Sequence, residues 1–243
     1  MSSGTCTERR PADILPPMVP DPSTPLELGF VALVLLVAAA VVALVRRAGG
    51  PAARVSVGLS AYLAGVLALG ASGALGDAVP PRPFILLGPA LACTLWFSLR
   101  SAAARALVER APLAALVGLQ AFRLPLELMM HAWSSEGALP VQMTFSGQNF
   151  DIVTGATAAL LVPFAARSRG VVLAWNVLGL ALLVNIVTVA ILSLPGPLRM
   201  FPGDPPNVLV MRVPYVWLPG FLVMTALAGH ILVFRALRAR GRG

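Results

Sequence analysis

The sequence predicts an all-α integral membrane protein, a bundle of about seven transmembrane helices with the N-terminus outside and the C-terminus inside. Three observations lead to this prediction. The 243 residues are 58% hydrophobic and 12% charged, with a mean hydropathy of +0.84. The apolar runs reach the roughly 20 residues that an α-helix needs to cross a bilayer. Arginines cluster beside alternate runs. Together these features exclude an ordinary water-soluble globular protein.

Each predicted span is an apolar run close to bilayer length, and the third is the shortest. The runs cover residues 26–45, 56–75, 83–99, 113–132, 149–166, 171–194 and 213–234. Residues 1–25 are polar and proline-rich, and we expect a disordered extracytoplasmic tail there. We do not expect a cleaved signal peptide, because the first apolar run is too long and ends in Arg46 and Arg47. Residues 235–243 are predicted to form a basic cytoplasmic tail.

The arginines set the orientation, because cytoplasmic loops carry more positive charge than outer loops. Twelve follow the odd-numbered spans: Arg46, Arg47, Arg54, Arg100, Arg105, Arg110, Arg167, Arg169, Arg235, Arg238, Arg240 and Arg242. Five fall on the opposite side: Arg9, Arg10, Arg82, Arg199 and Arg212. The net charge of +8 therefore reflects topology. It does not indicate a nucleic-acid partner, since no basic face carries interleaved aromatic residues.

Composition and aromatic residues add two expectations. The chain has no lysine and is rich in Ala, Gly and Pro, which favours a bacterial source with a GC-rich genome. Trp and Tyr prefer the membrane interfaces. The predicted topology places Trp133, Tyr215 and Trp217 at the outer face, and Trp96 and Trp175 near the inner face.

A ridge of small side chains in the second span predicts a close helix–helix contact. Ala64, Ala68, Ser72 and Gly76 recur every four residues. Small residues at this spacing let two helix backbones approach within a membrane. The abundance of Ala and Gly in this chain would produce the same pattern without a partner. The bilayer is the other expected partner of this surface.

The fourth span contains a polar stripe, which is expensive in a hydrophobic helix. Gln120, Arg123, Glu127 and His131 fall within an arc of roughly 80° at 100° per residue. Pro125 removes one helical hydrogen bond and predicts a kink beside the stripe. Arg123 lies near mid-membrane, where a charge needs a partner, and Glu127 is available on the same face. The stripe is either an internal ion pair that fixes helix packing or one wall of a polar pocket.

More polar groups converge on this level from the segment QMTFSGQNFDIVTG, residues 142–155. Asn149 is a good N-cap for the fifth span, and Asp151 in the first turn suits the helix dipole. Residues 141–145 alternate in polarity and are predicted to form a short extended lid. On the sixth span Asn185 faces the stripe, whereas Asn176 points the opposite way. Interhelical hydrogen bonding is the simplest role for both asparagines.

Three segments resemble a group of uncharacterised bacterial polytopic membrane proteins. They are QAFRLPLELMMH, LPVQMTFSGQNFDIVTG and the later VWLPGFLV, with a histidine in the last span. The resemblance covers mainly residues 120–155 and 214–230. It implies a multi-helix inner-membrane fold and no particular activity.

The residue inventory excludes several seven-helix activities. A retinal protein needs a Schiff-base lysine, and the chain has none. His131 and His230 are predicted at opposite membrane faces, so they cannot share a haem or a zinc ion. No GxSG motif indicates a serine protease. Cys6 and Cys93 are too far apart along the predicted topology to form a disulfide and lack zinc-site spacing.

The sequence therefore predicts an outward-facing polar pocket that binds or passes a small polar or ionic solute. Its ligand-binding residues would be Arg123, Glu127, His131, Asp151 and Asn185. One alternative is a structural or accessory membrane subunit whose ion pair only fixes helix packing. A second alternative is a membrane-embedded metal-dependent enzyme with Glu127, His131 and Asp151 as ligands, although this set matches familiar sites poorly. The sequence identifies no catalytic residue and no cofactor.

Overall fold

The computed structural model describes residues 19–76, 78–201 and 205–241, and within these ranges all regular structure is helical. The α-helices are α1 (Thr24–Arg47), α2 (Ala52–Ala71), α3 (Pro83–Arg100), α4 (Ala102–Arg110), α5 (Leu113–Gly118), α6 (Arg123–Ser135), α7 (Asp151–Leu161), α8 (Arg169–Leu192) and α9 (Val223–Arg240). Short 3₁₀ turns cover Leu119–Phe122, Val141–Met143, Val162–Phe164 and Leu209–Met211, and a π-helical turn covers Leu218–Leu222. The predicted all-α membrane bundle is thereby confirmed. Cys6, Arg9, Arg10 and Arg242 lie outside the described residues.

Six helical segments of the described chain are long and apolar enough to cross a bilayer. They are Thr24–Arg47, Ala52–Ala71, Pro83–Arg100, Leu113–Ser135, Arg169–Leu192 and Leu218–Arg240. The predicted fifth span forms a shorter apolar helix, Asp151–Phe164. At about 1.5 Å per residue this helix is roughly 21 Å long, shorter than a hydrocarbon core of roughly 30 Å. The last span continues through Arg240, so the segment 235–240 extends the helix.

The fourth span loses its regular α-helical geometry close to the predicted kink. Its regular α-helix stops at Gly118, makes a 3₁₀ turn over Leu119–Phe122 and resumes at Arg123. Pro125 has no amide to donate to the carbonyl of Ala121, so a regular turn cannot form at this point. The irregular turn sits in the middle of the span Leu113–Ser135. It sets the direction in which the side chain of Arg123 leaves the helix.

The arginine-rich helix ends meet at one end of the bundle. Arg110 donates to the carbonyl of Ala48, Arg235 to that of Ser98, and Arg240 to that of Ala111. Helix α4 lies here between α3 and α5 and buries one face, including Ala104 and Leu107, beside α1 and α9. Sequence reasoning treats this segment only as a loop. Its Ser101 hydroxyl caps the helix by accepting from the amide of Ala104 at 3.0 Å.

The aromatic residues predicted for the outer face pack inside the protein at the opposite end of the bundle. Trp133 and Tyr215 are buried and pack with Phe30, with ring centroids 5.2–5.5 Å apart. Trp217 is also buried and donates to the carbonyl of Leu63 at 2.9 Å. These rings build the protein core, whereas Trp96 is 65% exposed at the bundle surface.

No helix of the described chain packs against the small-residue ridge, so the predicted close approach does not occur within it. Ala64, Ala68, Ser72 and Gly76 are all exposed, and α2 ends at Ala71. The buried face of α2 instead carries Leu63 and Val66. A close contact of this ridge with a helix of another chain stays a prediction.

Candidate functional site in the bundle interior

Arg123 is the centre of a buried polar network. Its side chain is 1% exposed. Its Nε donates to Asp151 Oδ2 at 2.8 Å, and its Nη2 forms an ion pair with the same oxygen. Its Nη1 lies 2.9 Å from His230 Nε2. The expected pairing of Arg123 with Glu127 is therefore wrong. Neighbours on one helix face point in parallel, whereas Asp151 approaches the guanidinium from another helix.

Missing side chains at three glycines allow this convergence. A Cβ on Gly155 of α7 would clash with the backbone of Arg123 and Leu124. One on Gly179 of α8 would lie 2.7 Å from the His230 ring and 2.8 Å from Thr154. One on Gly229 would clash with the Gln120 side chain. Gly155 therefore brings α7 against the α6 backbone, and Gly179 and Gly229 leave room for the side chains of His230 and Gln120.

Asn176 and His230 hold each other, and their bonds fix the state of the ring. Asn176 Nδ2 donates to the carbonyl of His230 at 3.1 Å, which leaves its Oδ1 as the acceptor facing His230 Nδ1 at 2.8 Å. His230 Nδ1 therefore carries the proton, and Nε2 accepts from Arg123. The ring in this arrangement is neutral. The expectation that Asn176 points away from the site is wrong.

The expected position of His230 near the inner face is also wrong. The last span runs over Leu218–Arg240, a shift of about five residues relative to the predicted run 213–234. This shift brings His230 to the middle of the span, at the level of Arg123. The available sequence signal is a lone histidine inside an apolar span, which needs a polar partner within the bundle. His230 is fully buried in agreement with this signal.

Glu127 is buried at 2% exposure and bonds to an amide, with no salt bridge in the described part of the chain. Asn149 Nδ2 donates to its Oε2 at 2.7 Å and to the carbonyl of Met143 at 3.0 Å. Asn149 Oδ1 accepts from the backbone amide of Asp151 at 3.1 Å. The predicted capping role of Asn149 is wrong, because the N-cap of α7 is Phe150, which makes no side-chain cap. Asn149 lies one residue earlier, where its bond to the Asp151 amide closes an Asx turn, and its side chain links the start of α7 to Glu127.

The segment before α7 descends along the polar stripe of α6. Ser146 Oγ lies 3.3 Å from His131 Nδ1, Asn149 bonds to Glu127, and Asp151 bonds to Arg123. The predicted extended lid at residues 141–145 begins instead with the 3₁₀ turn Val141–Met143. Its tight path requires Gly147, because a Cβ there would lie 2.5 Å from the Cα of Gln142.

His131 and Asn185 contact this segment and do not join the Arg123 network. His131 is partly exposed and stacks on Phe145 at a centroid distance of 4.5 Å. Asn185 is exposed and donates to the carbonyl of Gln148 at 2.7 Å. Of the five predicted ligand-binding residues, the structure brings Arg123, Glu127 and Asp151 together.

A cavity of about 420 Å³ reaches this trio from the bundle surface. It lies between α3 and α8, with α6 and the last span as its floor, and Arg123, Glu127 and Asp151 line its polar end. Most other lining residues are apolar. The exposed side chains of Phe84 and Val184 stand on opposite walls. The pocket is therefore mainly apolar with one polar patch, which differs from the polar pocket that the sequence suggests.

The alternative metal site is not formed. Within residues 19–76, 78–201 and 205–241, no three histidine, cysteine, aspartate or glutamate side chains gather in a way that could hold a metal ion. Glu127 and Asp151 are near each other, but His131 lies further along the stripe beside Ser146. The metal-dependent enzyme alternative therefore loses its ligand set.

No protein-family model, curated protein or solved structure matches this chain.

Proposed function

We propose that this protein is a multi-pass bacterial inner-membrane protein that binds a small solute in the cavity between α3 and α8. The ligand's polar group would lie at Arg123, Glu127 and Asp151. Asp151 Oδ1 carries this proposal: it is buried and has no hydrogen-bond partner among the described residues. Buried carboxylate oxygens are rarely left without a donor. A ligand in the cavity that Asp151 lines would supply one.

The charge of the site favours a ligand with a cationic or donor group. Glu127 and Asp151 supply two carboxylates, Arg123 supplies one guanidinium, and the bonding of His230 makes it neutral. One carboxylate thus lacks a balancing cation in a low-dielectric site, which is costly. A proton or an ammonium group of the ligand would balance it. The apolar walls suit a short hydrocarbon body.

The cavity also has the size and position of a ligand site. Its volume of about 420 Å³ falls within the roughly 300–1,000 Å³ typical of small-molecule pockets. Helix α7 begins at Asp151, beside the cavity and level with the middle of the neighbouring spans. Interrupted helices that start inside the bundle are a common way of building solute sites in transporters. This supports binding and, by extension, passage of the solute.

A thermal-stability series tests this proposal with three molecules of equal chain length: hexylamine, hexanol and hexanoate. Hexylamine should raise the melting temperature of the detergent-solubilised protein most. At 100-fold excess over Kd, the stabilisation is about 2.7 kcal/mol, or roughly 5–10 °C. Glu127→Gln should remove the preference for the amine, because it removes the unbalanced charge while keeping the shape.

Two tryptophan variants on α3 separate cavity binding from general amphiphile effects. Leu91→Trp fills the cavity that Leu91 lines, whereas Leu95→Trp enlarges an exposed side chain that does not line it. Leu91→Trp should abolish the hexylamine shift, and Leu95→Trp should keep it. Equal shifts of the melting temperature in both variants would refute binding in this cavity. No shift in wild type with any of the three molecules would refute it too, and either result would favour the second candidate function. That candidate is a structural subunit, favoured by the contacts that Arg123 already makes within the chain.

We propose the orientation with the N-terminus outside, and the short helix Asp151–Phe164 as part of a seventh passage. The gathering of Arg110, Arg235 and Arg240 at one bundle end supports it, because positive residues mark the cytoplasmic side. In spheroplasts of a Cys93→Ser variant, an impermeant maleimide should label Cys6 without lysis. Labelling of Cys6 only after lysis would reverse the orientation.

A further inference from the structure

A second cavity opens at the arginine-rich end of the bundle and shares none of the Arg123 network. Its volume is about 560 Å³. It lies between α2 and α3, and side chains of α1, α4 and the last span form its floor. Its walls are largely apolar, with Leu44, Val55 and Phe97 among them. Gly58 and Cys93 on its sides are exposed, so the crevice opens laterally from the bundle, toward the space that lipid occupies.

Two arginines mark the polar end of this crevice. Arg54 stands in the first turn of α2, and Arg100 is the last residue of α3. Both line the cavity and both are exposed. Neither guanidinium has a hydrogen-bond or ion-pair partner in the part of the chain that the structure describes. The two charges therefore border the same apolar crevice, at the ends of the two helices that form its sides.

Trp96 lies one turn before Arg100 on the same helix and also lines the crevice. It is 65% exposed, whereas the other three tryptophans are at most 8% exposed. A tryptophan at this position suits the headgroup level, where its ring meets the hydrocarbon and its N–H meets polar groups. The crevice thus combines hydrocarbon walls, an interfacial aromatic ring and two unpaired cations.

We propose that this crevice binds one anionic phospholipid, with an acyl chain between α2 and α3 and the phosphate at Arg54 and Arg100. Basic pockets between membrane helices recognise anionic headgroups through such contacts. Arginine suits phosphate because its planar guanidinium donates two parallel hydrogen bonds. A free anion would not use the apolar walls, and a zwitterionic lipid would gain less from two positive charges.

Tryptophan quenching by brominated lipids tests this proposal, because Trp96 is the tryptophan that lipid can reach. The full-length protein is reconstituted into vesicles of phosphatidylcholine with a small fraction of phosphatidylglycerol, one of the two lipids carrying brominated acyl chains. Brominated phosphatidylglycerol should quench more than its mole fraction predicts, with a preference on the order of tenfold for two arginines. Equal quenching per mole by the two lipids in wild type overturns the proposal.

Two variants assign the preference to the crevice. The preference for phosphatidylglycerol should disappear in the double variant Arg54→Gln with Arg100→Gln. The control Arg46→Gln with Arg47→Gln removes the same charge from the same end of the bundle and should keep the preference. Equal loss in both pairs means general surface attraction and refutes a specific site.

A third variant tests the apolar walls of the crevice without changing the charge of the protein. A Cβ on Gly58 meets no atom within 4 Å, so Gly58→Leu is tolerated at the backbone and places an apolar side chain at the crevice that Gly58 lines. Gly65→Leu is its matched control, because Gly65 is also on α2, equally open, and does not line the cavity. Gly58→Leu should reduce the phosphatidylglycerol preference several-fold and Gly65→Leu should not. A full preference in Gly58→Leu would exclude the crevice.

Discussion

Replacing Arg123 by methionine should destabilise the protein strongly, because it strands a buried carboxylate. The change removes the two contacts of the guanidinium with Asp151 Oδ2 and the one with His230 Nε2. Asp151 is 4% exposed and loses both of its side-chain donors. Removing one member of a buried ion pair costs about 3–5 kcal/mol, and we expect the loss in this range.

The double change Arg123→Met with Asp151→Asn should cost less than the sum of the two single changes. It removes both charges together, so no uncompensated ion remains in the bundle. We expect a coupling energy of about 2 kcal/mol between these residues. The corresponding cycle of Arg123 with Glu127→Gln should give a coupling below about 1 kcal/mol, since Glu127 bonds to Asn149 and not to the guanidinium.

Equilibrium unfolding by SDS in mixed micelles measures both cycles, with tryptophan fluorescence as the signal. Trp133, Trp175 and Trp217 are buried and therefore report the loss of packing. If Arg123 couples more strongly to Glu127 than to Asp151, the pairing described above is wrong. If neither single variant at Arg123 or Asp151 loses stability, the network is in contact with water and the charge balance of the cavity must be revised.

Two further predictions concern packing and pH. Gly179→Ala should lower the free energy of unfolding by about 1–3 kcal/mol in the same SDS titration, because its methyl group would meet a His230 ring that two hydrogen bonds hold in place. The control Gly65→Ala lies in open space and should be neutral or slightly stabilising. Equal effects of the two changes would refute the close contact at Gly179. Hydrogen bonding from the Ser23 side chain and from its backbone amide lowers the pKa of the exposed Glu136 from 4.5. The contribution of this contact to stability is therefore present above pH 4.5 and is lost as the pH falls through the lowered pKa. The stability difference between wild type and Glu136→Gln should therefore shrink on acidification below pH 4.5, and a difference that grows there would contradict this contact.

The spans could be predicted from the sequence because each depends on a local run of apolar residues. The hydrogen-bond partners of the polar residues could not be predicted in the same way, because they depend on how helices distant in sequence pack together. Asp151 reaches Arg123 because Gly155 lets α7 contact the α6 backbone. In a glycine-rich chain, a single glycine does not predict which helix will pack against it. Helix α4 was missed for a different reason: it is too short and too polar to register as a span.

The polar stripe on α6 and the short helix α7 have one explanation. Arg123 precedes Ser135, the end of α6, by 12 residues, or about 18 Å along the helix. Since Asp151 bonds to Arg123, the chain after α6 must return that distance into the bundle before α7 can begin. Helix α7 therefore begins inside the bundle, which agrees with its short length.

Non-helical backbone at this depth persists only where protein or a polar cavity satisfies it. The returning segment satisfies its own amides through turns, in which Asn149 N–H donates to Thr144 and Gln148 N–H to Gln142. Its side chains are held by His131, Glu127 and Arg123 in succession. The polar stripe thus holds the returning segment along its length, which accounts for these polar side chains on an apolar helix. Asp151, at the inner end of this segment, lines the cavity, and its Oδ1 has no donor among the described residues.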